Sequence, residues 1–151
     1  MGRRLILLAA LAAMLSGCAA PARELPPPAQ LFAAVQAQVE LPEMVDTAET
    51  ELEGLTGVGP ETYDAAVCCR LSKGTAPDEI IIVRARDGEG VEEIQTLLEK
   101  RLKYKRKSGE FYLTEYQPML QNGVVRRDGL TVSLIVSGQA EEIARVYDQY
   151  R

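Results

Sequence analysis

The most constraining stretch of this chain is VVRRDGLTVSLIVSG, residues 124–138, in which two runs rich in β-branched residues flank Asp128-Gly129. An Asp-Gly pair between two such runs is the strongest short-range signal for a β-hairpin, because a two-residue turn there needs a positive φ that glycine adopts freely. A second strand pair is expected at residues 65–71 and 79–85. SKGTAPD separates them, with Gly74 and Pro77 supplying the turn chemistry. Short connections of this kind join antiparallel neighbours, so the sheet they build should be largely antiparallel.

Helical spacing surrounds these strands. In QLFAAVQAQVE, Leu31, Phe32, Val35 and Val39 fall on one helix face. From about Glu89, Val91, Ile94, Leu98 and Leu102 form one apolar stripe that Leu97 widens. Glu92 and Glu93 near its start, with Lys and Arg towards its end, suit the helix dipole. TEYQPMLQNG reads as a short helix stopped at Asn122-Gly123. A last helix over residues 139–150 turns Ile143, Val146 and Tyr147 inward, with Ser137 as its candidate cap. ELEGLTGVGPE, rich in glycine and ending in Pro60, is expected to be a turn region. Its G-x-x-G-x-G run precedes a strand instead of opening a helix, which argues against a phosphate-cradling loop. The expected fold class is therefore α+β: a two-layer sandwich with a four-stranded, largely antiparallel sheet and helices packed on one face.

The first residues carry a different kind of information. Arg3 and Arg4 precede an uninterrupted apolar run from Leu5 to Leu15, followed by Ser16, Gly17 and Cys18. That is the layout of a secretory signal, and the run is well short of the roughly 20 residues that a membrane-spanning helix needs. Leu15-Ser16-Gly17-Cys18 resembles the lipobox of bacterial lipoproteins, in which the cysteine thiol is acylated and the peptide is cut just before it. The resemblance implies a lipid attached at Cys18 and a domain held on the extracytoplasmic face of the bacterial cell membrane. Residues 1–17 are then a signal peptide, 18–29 a lipidated cysteine with a proline-rich tether, and 30–151 one α+β domain of ordinary size. Cleavage removes Arg3 and Arg4 and leaves 15 basic against 22 acidic residues, a formal charge of −7. Such an acidic chain is a poor partner for nucleic acid.

The chain has no histidine, which removes Ser-His and Cys-His nucleophile pairs, histidine metal sites and a histidine base. No acidic loop has calcium-binding spacing, and no metal or cofactor is expected. Once Cys18 is acylated, only Cys68 and Cys69 remain. On a strand they point to opposite faces. Cys69 should share the core face with Val67 and Leu71, leaving Cys68 on the other side as the more reactive thiol. A vicinal redox switch is the alternative, which no C-x-x-C spacing supports. Glu92, Glu93, Glu99, Glu141 and Glu142 lie where helices put solvated carboxylates, and no catalytic pair stands out. Lys100, Arg101, Lys103, Lys105, Arg106 and Lys107 concentrate six basic residues in eight and are candidates for contact with an anionic surface. The structural account of the same run is a set of cations favourably placed at a helix C-terminus. Tyr104, Phe111, Tyr112 and Tyr116 nearby are expected to serve core and hinge packing.

From Asp78 onward the chain resembles a known family. Glu79-Ile80 opens a strand, a long helix ends at Arg101, Tyr116-x-Pro118 makes a turn, Leu120 precedes Asn122 by two residues, and a final strand runs from Leu134 to Val136. GVGPETYDAAV fits an earlier segment more loosely. This pattern is similar to the DUF4358-like lipoproteins of Clostridia, catalogued as a domain of unknown function, and the resemblance transfers no catalytic residue. The functional expectation is a lipid-anchored, non-catalytic binding or scaffolding module, with a cell-envelope protein or polymer as its partner. A carboxylate-based enzyme acting on an envelope glycan or polymer is the alternative, and a cleft bringing two carboxylates within about 5 to 10 Å would favour it.

Overall fold

A computed structural model describes residues 24–112 and 114–150. The expected lipobox, with Cys18, lies outside the described residues. Leu25 and Pro28, within the expected tether, are buried, and helix α1 (Pro28–Gln38) already begins at that proline. Pro at the first helical position costs no hydrogen bond, since the early N–H groups have no partner inside the helix. The packed domain therefore begins inside the segment expected to be a spacer.

After α1 come β1 (Met44–Asp46), α2 (Ala48–Thr56), β2 (Tyr63–Leu71), β3 (Glu79–Ala85) and α3 (Gly88–Tyr112). A single turn of 3₁₀-helix (Thr114–Tyr116) leads into α4 (Gln117–Asn122), followed by β4 (Val124–Asp128), β5 (Thr131–Val136) and α5 (Ala140–Asp148). The five strands pair antiparallel throughout, in the order β1-β2-β3-β5-β4. β4 and β5 form the expected hairpin. Asp128 faces Thr131 across a two-residue loop whose first residue, Gly129, has φ +61°. β5 then pairs with β3, which places the two most apolar strands at the centre.

The architecture is α+β as expected, with two corrections. The sheet has five strands because β1, three residues long, adds itself to the edge of β2. More consequentially, helices cover both faces. Ile80, Ile82, Val67, Cys69 and Ile135 pack against α1 and α5. Ile81, Val83, Ala85, Cys68, Leu134 and Val136 pack against α2, α3 and α4. The physical reason is legible in β3, whose Ile80–Val83 run is continuous. A strand with one solvated face alternates apolar and polar residues, whereas one buried on both faces does not.

Residues 51–56, expected to belong to a turn, form most of α2. Leu52, Leu55 and Thr56 face the sheet at helical spacing, and the buried Thr56 hydroxyl donates to the Leu52 carbonyl at 2.6 Å. Gly123 does follow the end of α4, but with φ −56°, so it does not act as a left-handed stop. Its value is space, since a Cβ there would stand 2.9 Å from Leu102 Cδ1. α5 buries Ile143, Val146 and Tyr147 as expected. Ser137 does not cap it directly: its Oγ accepts from the Gln139 N–H just before the helix begins.

Candidate functional site

Glu79 is the first residue of β3 and completely buried. It shares the sheet face of Ile81 and Val83, and therefore looks at α3. Arg101 reaches it from α3 with two hydrogen bonds, Nη2 to Oε1 at 2.8 Å and Nε to Oε2 at 3.1 Å. Lys105 Nζ stands 3.6 Å from the same carboxylate and Arg70 Nε, on the neighbouring strand, 3.8 Å. Arg70 also pairs with Glu51 of α2 at 2.8 Å. One buried carboxylate thus ties together α2, β2, β3 and α3.

Burial alone would raise the Glu79 carboxyl, but the Arg101 hydrogen bonds and the charges of Lys105, Arg101 and Arg70 outweigh it and hold the group below its ordinary range. Lys105 moves the other way from what a simple pair would give. Burial, and the like charges of Arg101 and Arg70, lower its ammonium more than Glu79 raises it. The neighbouring Asp78, nearly buried, is raised by desolvation against its own backbone amide, Lys105 and Ser137. Chemically this is a locked ion cluster. A carboxylate clamped by a bidentate guanidinium is a poor proton acceptor and holds no proton to give.

The basic run 100–107 divides around this cluster. Arg101 and Lys105, whose side chains are only 11% and 12% exposed, point inward to Glu79. Arg106 curls back over the end of α4, donating to the carbonyls of Leu120, Gln121 and Gly123 at 3.0, 2.9 and 2.8 Å. Leu120 O also accepts from the Gly123 N–H at 3.3 Å, and carbonyls at a helix end lack partners in the following turn, so Arg106 acts as a side-chain cap. Lys100, Lys103 and Lys107 are exposed, and among the described residues none of them forms an ion pair. The helix-dipole account does not hold. α3 continues to Tyr112 instead of ending at Arg101, and its last turn contains no basic residue. Dipole effects fade within one turn of the terminus.

Tyr104 and Phe111, expected in the core, are instead the two most exposed large apolar side chains among the described residues, at 62% and 72%. Tyr104 stands at the mouth of a groove of about 480 Å³ between α2 and α3, lined also by Leu55, Gly57, Leu97, Lys100 and Arg101. Tyr116 is half-buried and lines a wider groove of about 700 Å³ between α4 and α5, with Pro118, Met119 and Val124. Glu115, Glu141 and Glu142 rim that groove and are exposed.

The two thiols differ from expectation. Cys68 and Cys69 do point to opposite faces, but helices cover both, so the two residues are buried and unbridged. Burial, with the nearby Glu79, pushes the Cys68 thiol up to about 11. Burial and Asp46 push Cys69 up to about 12. Neither carries the thiolate that a reactive cysteine needs.

Glu79 was the residue that sequence reasoning missed. Its only signal was a charged residue placed directly against a continuous apolar strand, in register with the core face of β3. The partners Arg70 and Arg101 come from β2 and α3, and nothing local in the sequence announces that meeting.

No curated protein and no solved structure matches the chain. A family model described as "Domain of unknown function (DUF4358)" matches residues 37–137. That span runs from the end of α1 through β5 and takes in Glu79, its partners and the whole of α3. With two thirds of its length matched, the chain belongs to the DUF4358 family.

Proposed function

We propose that the chain is a lipid-tethered, non-catalytic binding domain at the extracytoplasmic face of a bacterial cell membrane, engaging a partner of the cell envelope. The tether rests on the lipobox at Leu15–Cys18 and the secretory layout before it. One observation carries the binding role. The outer face of α3 presents Tyr104, Phe111 and three exposed lysines beside an open groove, whereas the inward basic residues of the same run are consumed by the fold. Exposed aromatic side chains rimmed by charge are common at recognition surfaces.

The test has two readouts in cells. Cys18→Ser should abolish labelled-palmitate incorporation and leave precursor or released protein. Unchanged labelling and fractionation would refute the tether. A photo-crosslinking residue at position 104 should give a discrete adduct with an envelope component, while the same residue at the exposed Asp64 should not. Equal adducts at both positions, or turnover of an envelope glycan by the purified chain, would overturn the binding role.

A further inference from the structure

At about 100° per residue, Leu97, Tyr104 and Phe111 follow one another every seven residues and stay within about 40° of one line along α3. Lys100, Lys103 and Lys107 lie along one flank of that line; Arg101, 5.9 Å from the Tyr104 ring, and Lys105 lie along the other flank with their heads turned to Glu79, and Leu98 and Leu102 face the core beyond them. An apolar column beside a groove, with lysines as its nearest charged neighbours, is a surface onto which an amphipathic helix can lay its own apolar face. At its upper end the line runs into the groove whose apolar walls are Leu55 and Leu97 and whose cationic rim is Lys100 and Arg101. We infer that this face of α3 docks an amphipathic helix of a protein partner, with apolar residues on the Leu97-Tyr104-Phe111 line and Asp or Glu opposite the lysines.

Charge complementarity selects the partner, and the placement of the chain argues against the nearest competitor, the anionic bilayer. Glu24 is held by Arg84 at 2.8 Å, at the far end of β3 from Glu79 and on the sheet face covered by α1 and α5. The lysine-aromatic face belongs to the other side of the sheet and to the Glu79 end. Cys18 and Glu24 are six residues apart, about 20 Å of fully extended chain at most. A lipid at Cys18 would therefore attach at the opposite corner of the domain from this face. Three carboxylates temper the positive field: Glu53 in the groove, and Glu99 and Glu110 on the lysine flank. Glu99 is engaged by Gln95 at 2.9 Å.

The inference rests on the proposed binding role and names its partner. Because the chain contains no tryptophan, Tyr104→Trp in the otherwise intact protein provides a single emission probe at the centre of the face. The probes are a synthetic helical peptide with Leu on its apolar seam and Glu on both flanks, the same peptide with Lys for Glu, and phosphatidylglycerol vesicles. The Glu peptide should shift the emission of the introduced indole and bind at least about 10-fold more tightly than the Lys peptide. Reversing Lys100, Lys103 and Lys107 to Glu should invert that preference while thermal unfolding stays within a few degrees of the parent. Equal binding of both peptides, binding of neither, or a shift produced by the vesicles and not by the peptide would overturn the inference. Flotation of the wild-type chain with neutral vesicles reads the tether separately. Loss of peptide preference with intact position-104 crosslinking in cells would sink this inference and leave the binding role standing.

Discussion

Replacing Glu79 with Gln should be among the most damaging single changes to this fold, although it preserves size and polarity. The buried carboxylate is the counter-charge for Arg101 and Lys105, whose side chains are 11% and 12% exposed, and it also faces Arg70. An amide accepts one hydrogen bond from Arg101 but offers no charge, so two largely desolvated cations are left uncompensated. Removing one partner of a buried ion pair costs about 3 to 5 kcal/mol, because the remaining charge has no water to turn to. Set against the roughly 5 to 15 kcal/mol that holds a small domain together, that is a large fraction of the total. Equilibrium urea unfolding of wild type, Glu79→Gln, Arg101→Met and the double variant provides the assay. Each single change should lower the midpoint strongly, and the double should cost well under the sum, with a coupling of about 1 kcal/mol or more. The pH dependence has a definite sign. Glu79 is held below its ordinary value of 4.5, so its contribution is present above that value and lost as pH falls through the lower folded-state value. Glu79→Gln should therefore flatten the stability profile below about pH 5. Additive single costs, or a Glu79→Gln loss below about 1 kcal/mol with an unchanged acid profile, would refute the ion-cluster reasoning.

Cys68 and Cys69 should both resist alkylation under native conditions and react together only as the chain unfolds, since helices cover both sheet faces. Fast labelling of either thiol in the folded protein would contradict this burial. Gly109→Ala should cost about 1 to 3 kcal/mol in urea unfolding, because the new methyl carbon would overlap Leu120 Cδ1, and pairing it with Leu120→Ala should recover part of the loss. Arg106→Ala should cost about 1 to 3 kcal/mol through the three carbonyl hydrogen bonds it removes at the end of α4, whereas Lys103→Ala should stay within about 0.5 kcal/mol in the same assay.

The strands β2 to β5 were legible because they carry their own punctuation: Asp128-Gly129 in one hairpin and Gly74 with Pro77 in the connection between the other two. The amphipathic stripes of α1, α3 and α5 were legible for the same reason, since each repeats its apolar residues at helical spacing over successive turns. What escaped were features decided by partners distant in sequence. β1 has three residues and no pattern of its own, and it is a strand because β2 offers it an edge. α2 contains Gly54 and lies next to further glycines, so local propensity speaks for a turn until Leu52 and Leu55 find the sheet. The inward fate of Arg101 and Lys105 followed from Glu79, which was invisible as their target. Tyr104 and Phe111 failed in the opposite direction: aromatic character suggested burial, whereas their angular position on α3, about 120° or more from the Leu98-Leu102 stripe, had already placed them outside.

The ion cluster and the exposed face are mechanically one device. Because Arg101 and Lys105 are a turn apart and both engage Glu79, they fix the rotation of α3 about its own axis, and every other side chain on the helix inherits that setting. Apolar contact through Ile94, Leu98 and Leu102 alone would tolerate rotation by some tens of degrees, since hydrophobic burial is non-directional. A bidentate guanidinium-carboxylate pair is directional and tolerates far less. With Arg101 turned to Glu79, Lys100 faces outward, Tyr104 sits exposed beside the Arg101 guanidinium at 5.9 Å, and Arg106 crosses towards α4, where it closes the helix end that packs on Gly109. The run KRLKYKRK therefore does two kinds of work determined by helical phase: some members brace the core, and the rest form the surface whose orientation that bracing sets. Disturbing Glu79 should consequently alter peptide binding at Tyr104 even at concentrations of urea too low to unfold the domain, and changing Lys103 should alter binding without touching stability.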